Sequence, residues 1–278
     1  MISERISVRS LLAACVAMIA LSLCGSERAT PGAQPPAPPA VGLESAATED
    51  ATPSLPAEQA KAYRVKRMKG APTVDADWNK PAWADVTPLT LEYYMGQEPS
   101  HRPRVQAKIA YDDDFIYVIW RVEDNYVLAR KTKQQESVSQ DSCVEFFFTP
   151  GGDTDRIGYF NIETSCIGTM MFASNVPGIP NSVTPADIGE VAVASSLKGP
   201  IDAEITTPTT WTLEYRIPLA VLEKHSKVQR PEPGLTWRAN FYKCADGSSH
   251  PHWLTWSHVD RPAPSFHAPR SFGELIFE

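Results

Sequence analysis

The chain has 278 residues, 42% of them hydrophobic and 21% charged, enough to bury one large core or two small ones. Its net charge of −7 and pI near 5.4 exclude the basic surface that a nucleic-acid partner needs. An acidic balance is compatible with a neutral ligand, which neither sign of charge has to attract.

Arg5 and Arg9 precede an apolar run over residues 11–23, the charge order and length of a secretory signal, too short for a comfortable membrane span. Leu21-Ser22-Leu23-Cys24-Gly25-Ser26 resembles the lipobox of bacterial lipoproteins, which marks Cys24 for lipidation and the chain for export to the cell envelope. An ordinary signal peptide cut nearby is the alternative. Residues 25–58 are rich in Pro, Ala, Ser, Thr and Glu and lack aromatics, so they cannot offset their own ordering entropy; they read as a disordered Pro-rich tether.

The folded part is expected from about residue 59, with order beginning near Tyr63, where Tyr63-Arg64-Val65-Lys66-Arg67-Met68 alternates. From there short alternating or apolar runs separated by Gly, Pro, Asp and Asn predict an all-β antiparallel sandwich, of jelly-roll or immunoglobulin-like type. The predicted strands are 105–110, 115–124, 142–149, 157–164, 169–174, 191–197, 211–218, 236–242 and 271–277, with a short helix or turn at 219–225. Of the five cysteines, Cys143, Cys166 and Cys244 fall in this part. They can stand as three buried thiols, or Cys143 and Cys244 can pair, since both lie in strand-like segments.

Strand alternation sorts the side chains of four of these segments into rows. Ile116, Val118, Trp120 and Val122 oppose Tyr117, Ile119 and Arg121; Val144, Phe146 and Phe148 oppose Glu145 and Phe147. Phe160 and Ile162 oppose Asn161 and Glu163, and Trp237, Ala239 and Phe241 oppose Arg238, Asn240 and Tyr242. If the strands share a sheet, the mixed rows assemble Arg121, Glu145, Asn161, Glu163, Arg238, Asn240 and Tyr242 on one surface. Aromatic faces beside fixed polar groups suit a sugar; a solvated face with weak ion pairs is the other reading.

Enzymatic signatures are missing: there is no GxSxG elbow, phosphate loop, HExxH or dinucleotide fingerprint. A glycosidase needs only two facing carboxylates, so Glu145 with Glu163 stays a formal option. His250-Pro251-His252 reads as a loop. Asp112, Asp113, Asp153 and Asp155 sit in turns that could hold a structural calcium or be acidic solvated turns; no other cofactor is indicated.

An ordered set of segments is similar to the family 9 carbohydrate-binding modules, which occur beside xylanases and in exported proteins. It comprises Val74-Asp75-Ala76-Asp77-Trp78 with Trp83, Tyr111-Asp112-Asp113, the run from Gln140 to Phe148, and Tyr159-Phe160-Asn161-Ile162-Glu163-Thr164 with Gly168. Trp237 to Cys244, Pro251-His252-Trp253-Leu254-Thr255-Trp256, Phe266-His267 and Phe272-Gly273-Glu274-Leu275 complete it. The resemblance implies a non-catalytic β-sandwich binding poly- or oligosaccharide of xylan or cellulose type, often at chain ends between tryptophans, with structural calcium in some members and a companion glycoside hydrolase. Trp253 and Trp256 are then the stacking candidates, with His252 beside them, and Trp78, Trp83 and Trp237 look like core. A haem-binding DOMON sandwich is a more distant relative, but no axial Met and His pair sits on matching strands.

Overall fold

The computed structural model describes residues 61–278; the export segment, Cys24 and the tether lie outside them. In chain order the strands are β1 (Ala62–Arg67), β2 (Leu89–Thr90), β3 (Tyr93–Tyr94), β4 (Arg104–Tyr111), β5 (Phe115–Asp124), β6 (Val127–Ala129), β7 (Cys143–Thr149) and β8 (Tyr159–Ser165). There follow β9 (Met170–Asn175), β10 (Ala192–Ser195), β11 (Ile201–Ile205), β12 (Thr209–Pro218), β13 (Thr236–Cys244), β14 (Trp253–Thr255) and β15 (Gly273–Phe277). Three helices of four or five residues interrupt them, α1 (Thr154–Ile157), α2 (Pro185–Gly189) and α3 (Leu219–Glu223). All nine strands expected from alternation are present, and so is the turn of helix after Pro218.

The strands form a two-layered sandwich. One layer runs β10-β12-β5-β4, with β2 on β4; the other runs β15-β13-β7-β8-β9, with β14 and β3 appended. β1 belongs to both, pairing in parallel with β15 over Ala62–Val65 and then in parallel with β4 over Lys66–Arg67. A separate ribbon pairs β6 with β11.

Large side chains fill the space between the layers because each strand's apolar row points there. Phe146 stacks on Phe148 at 4.5 Å between ring centres and on Phe241 at 4.8 Å, and Phe148 stacks on Trp237 at 5.6 Å. Trp120 of the opposite layer meets Phe241 edge-on at 5.5 Å, as quadrupolar rings prefer.

Alternation also predicted solvated or ligand-facing outer rows, and here the structure differs. Both outer faces are covered by largely irregular segments, each with a single turn of 3-10 helix, Pro81–Trp83 in one and Pro269–Ser271 in the other. Met68, Trp83 and Val86 lie over Ala110, Tyr117 and Ile119, while Val259, Phe266, Ala268 and Phe272 lie over Phe147, Tyr242 and the Cys143–Cys244 pair. Such segments place apolar residues without a period, so the sequence pattern reads them as loops.

The first cover is pinned by one carboxylate. Glu214 of β12 is fully buried and accepts from the backbone N–H groups of Asp75 and Ala76, both at 2.9 Å, from Lys80 Nζ at 2.7 Å and from Trp83 Nε1 at 2.9 Å. Four donors from one segment converge on a group that water cannot replace. Glu214→Ala should cost about 3–5 kcal/mol, the range for breaking a buried ion pair from one side, and should release the 73–86 cover. Chemical denaturation with tryptophan fluorescence will measure it.

Candidate functional site

Under the second cover the antiparallel registers set the site. Tyr242 lies opposite Glu145 and Glu145 opposite Glu163; one step along, Asn240, Phe147 and Asn161 align; at the end, Cys244 faces Cys143. A cleft of about 270 Å³ opens over this floor, just below the ~300–1,000 Å³ usual for ligand pockets, and so takes a small ligand or the end of a long one. Glu145, Glu163, Cys244 and Phe147 lie in its floor; Asp246, Trp253, Phe266 and His267 contribute to its walls.

Trp253 is half-buried, and its indole N–H donates to Asp246 Oδ1 at 2.9 Å, which fixes the ring plane at the cleft. Phe266 stacks on Tyr242 at 4.2 Å, and the Tyr159 hydroxyl is hydrogen-bonded to His267 Nδ1 at 2.8 Å. Burial lowers the His267 pKa, helped by the Arg261 charge, so this wall favours a neutral imidazole.

Three carboxyls share the cleft, and burial drives each of them toward the neutral form. Glu145 is pushed well above the ordinary range by burial first, then by Cys244 and Glu163. Glu163 is pushed up to about 7 by burial, against a lowering hydrogen bond from Asn161 Nδ2 at 2.9 Å. Asp246 is raised by burial too. At neutral pH the floor can therefore both donate and accept hydrogen bonds, which a fully ionised set could not.

The other residues named from sequence fall elsewhere or do structural work. Arg121 is not on this surface: β5 lies in the other layer, and its guanidinium pairs with Glu123. Asn161 and Asn240 are buried. Asn240 donates to the Ser257 carbonyl at 3.0 Å and accepts from the N–H groups of Ser257 and Phe241, bridging the point where β13 changes partner from β15 to β14. Arg238 bonds Glu274 and the Phe272 carbonyl, outside the cleft. Tyr242 is fully buried, its hydroxyl donating to the Phe266 carbonyl.

Trp256 is 3% exposed and packs edge-on against Phe241 in the central core, so it cannot stack on a ligand. It fits there because Gly273 has no side chain: a Cβ at that position would lie 2.6 Å from the indole. His252 is also fully buried. Its Nδ1 bonds the His250 carbonyl at 2.9 Å, while Nε2 faces Lys243 Nζ at 2.8 Å; burial and then the lysine charge lower its pKa to about 3. It is thus neutral, donating through Nδ1 and accepting through Nε2.

The turn carboxylates are engaged by their own chain. Asp112 accepts from the N–H groups of Asp114 and Phe115 and from the Tyr117 hydroxyl, Asp113 pairs with Arg67, and Asp153 caps α1 by accepting from Arg156 N. Asp155 is exposed, in the first turn of that helix. Cys143, Cys166 and Cys244 are free buried thiols. Asp246, absent from the sequence-based set, carries no spacing signal; it enters the cleft because the turn after β13 brings it beside Trp253.

The Glu163 shift has a sign that can be tested. A carboxyl raised from 4.5 to about 7 favours folding in its protonated form, so its contribution is complete below pH 4.5 and is lost as pH rises through about 7. Stability should fall by on the order of 3 kcal/mol over that window, and Glu163→Gln should flatten the fall. Denaturant midpoints at a series of pH values will show it.

With the geometry described, relatives can be placed beside it. No curated protein matches the chain. Among solved structures, a candidate carbohydrate-binding protein from Bacteroides uniformis ATCC 8492 is 29% identical, covering 79% of this chain and 100% of its own, with a TM-score of 0.71. Family 9 carbohydrate-binding modules from Caldicellulosiruptor kristjanssonii, solved with cellotriose and with glucose, are 16% and 15% identical, with TM-scores of 0.53 and 0.52. They cover 78% and 77% of this chain and 94% and 95% of their own, and that likeness is one of fold. The family model described as carbohydrate-binding family 9 matches residues 79–277, nearly the whole described sandwich after β1, and the chain therefore belongs to that family.

Proposed function

We propose that this protein is an exported, non-catalytic carbohydrate-binding protein that takes the end of a poly- or oligosaccharide of cellulose or xylan type into the Trp253 cleft. Family membership supports sugar as the ligand class, and the solved family 9 modules carry cellotriose and glucose. The observation that carries the reading is the Trp253 indole, held by Asp246 at the side of a cleft floored by Glu145 and Glu163. An aromatic face takes the C–H surface of a pyranose, and carboxyls near neutrality meet hydroxyls as donors or acceptors.

The placement of the two glutamates favours binding over hydrolysis. They stand side by side on adjacent strands of one floor, whereas glycosidase carboxyls flank the scissile bond. Calorimetry of residues 59–278 against xylo- and cello-oligosaccharides should show binding, and Trp253→Ala should weaken it at least tenfold, about 1.4 kcal/mol, with little change in Tm. No binding across a broad glycan panel would overturn the proposal. Release of reducing ends, abolished by Glu163→Gln, would overturn its non-catalytic part.

Export to the envelope, with a lipid at Cys24 and a tether that gives the domain reach toward a companion glycoside hydrolase, rests on the first 58 residues of the sequence. The full chain should take up labelled palmitate and fractionate with membranes in a globomycin-sensitive way. A Cys24→Ala protein that stays membrane-bound would refute the anchor.

A further inference from the structure

One cluster in the cleft floor is not explained by sugar binding. Cys143 and Cys244 face each other across the β7–β13 ladder, Glu145 stands one pleat along from Cys143, and the Cys244 thiol donates to Glu145 Oε1 at 3.0 Å. One donor atom from each residue lies within 4.8 Å of the others. A tetrahedral zinc site, with Zn–S near 2.3 Å and Zn–O near 2.1 Å, needs donors roughly 3.5–3.8 Å apart, so only small rotamer adjustments separate this trio from a ligand set.

We propose that Cys143, Cys244 and Glu145 form a binding site for a thiophilic divalent cation, with zinc as the matching ion and the fourth position open to the cleft. Three observations converge on it. Two sulfur donors and one carboxylate select zinc over the hard cations that oxygen-only turns would hold. The strand register, not a mobile loop, sets their spacing. Cys244 and Glu145 line the cleft, which gives the ion an entry path and leaves room for water as fourth ligand, as in sites with three protein ligands.

Binding exchanges thiol protons for the metal: two S–H bonds break, two metal–sulfur bonds form, and both protons leave to buffer with no change of oxidation state. The Glu145 carboxyl, if protonated beforehand, releases a third. The third folded-domain cysteine serves as an internal control, because Cys166 sits in the central core away from the trio.

The test is cobalt titration of the reduced full chain under anaerobic conditions, read by absorbance, followed by zinc displacement. The expected result is one cobalt per chain, a sulfur-to-cobalt charge-transfer band with tetrahedral d–d bands, and loss of the signal on adding zinc. Cys143→Ser and Cys244→Ser should each weaken cobalt binding at least tenfold and reduce the charge-transfer intensity, Glu145→Gln should weaken binding without reducing the sulfur band, and Cys166→Ser should match the unaltered protein. Circular dichroism will confirm that each variant is folded. Absence of the band in the unaltered protein, or its survival in a folded Cys143→Ser/Cys244→Ser protein, would overturn the site. A Cys143–Cys244 disulfide that persists under reductant would do so as well. None of these readouts involves sugar, so the outcome stands apart from the binding proposal.

Discussion

The register of β13, β7 and β8 constrains everything else in this domain. Because side chains alternate with a period of two, aligning Tyr242 with Glu145 and Glu163 on one face obliges Phe241, Phe146 and Ile162 to align on the other. The same three strands thus build the central core and the cleft floor at once. A slip of one residue would send carboxyls into the Phe146–Phe148–Phe241 stack and open phenylalanines to the cleft, so packing and ligand-facing chemistry are specified together.

A second constraint acts between the layers. Lys243 lies in the apolar row of β13, in line with Phe241 and Trp237, and is fully buried. It approaches Asp124 Oδ2 at the end of β5 to 3.5 Å, and Asp124 Oδ1 takes His101 Nε2 at 2.8 Å and the Tyr126 N–H at 3.0 Å. Burial alone would raise the Asp124 pKa, but the Lys243 charge and these hydrogen bonds hold it below the ordinary range. Such a pair adds little net stability over apolar packing, yet leaving either member alone is costly, so it locks the relative alignment of the layers at one end.

Alternation disclosed most of the long strands because six to ten residues give several periods to read, and it also found the shorter β10 and β15. It missed β2, β3, β6 and β14, at two or three residues, and β11, whose alternating Ile201-Asp202-Ala203-Glu204-Ile205 is only five residues long with the small Ala203 at its centre. The mixed rows were legible as rows but not as buried ones. Nothing periodic marks Val259, Phe266 and Phe272 as the lid that covers them, so Asn240 and Tyr242 passed for ligand contacts when they fasten that lid. Trp253 and Trp256 are equivalent in sequence, two aromatics in one motif; only the space left by Gly273 decides that the second turns inward. The ordered family segments supplied what periodicity could not, the class of ligand, while Asp246 needed coordinates.

The two-layer membership of β1 has a mechanical consequence. It is the first strand of the described domain, and it joins the last strand, β15, in parallel, with Ala62 to Val65 registered against Glu274 to Phe277. A pull on the chain at its N-terminal side acts along the axis of β1, across its hydrogen bonds, so the bonds to β15 and β4 are loaded in shear together instead of being unzipped one at a time. Any load applied through the chain ahead of Ala62 meets that strand first, and β1 is placed to spread it over both layers before either opens.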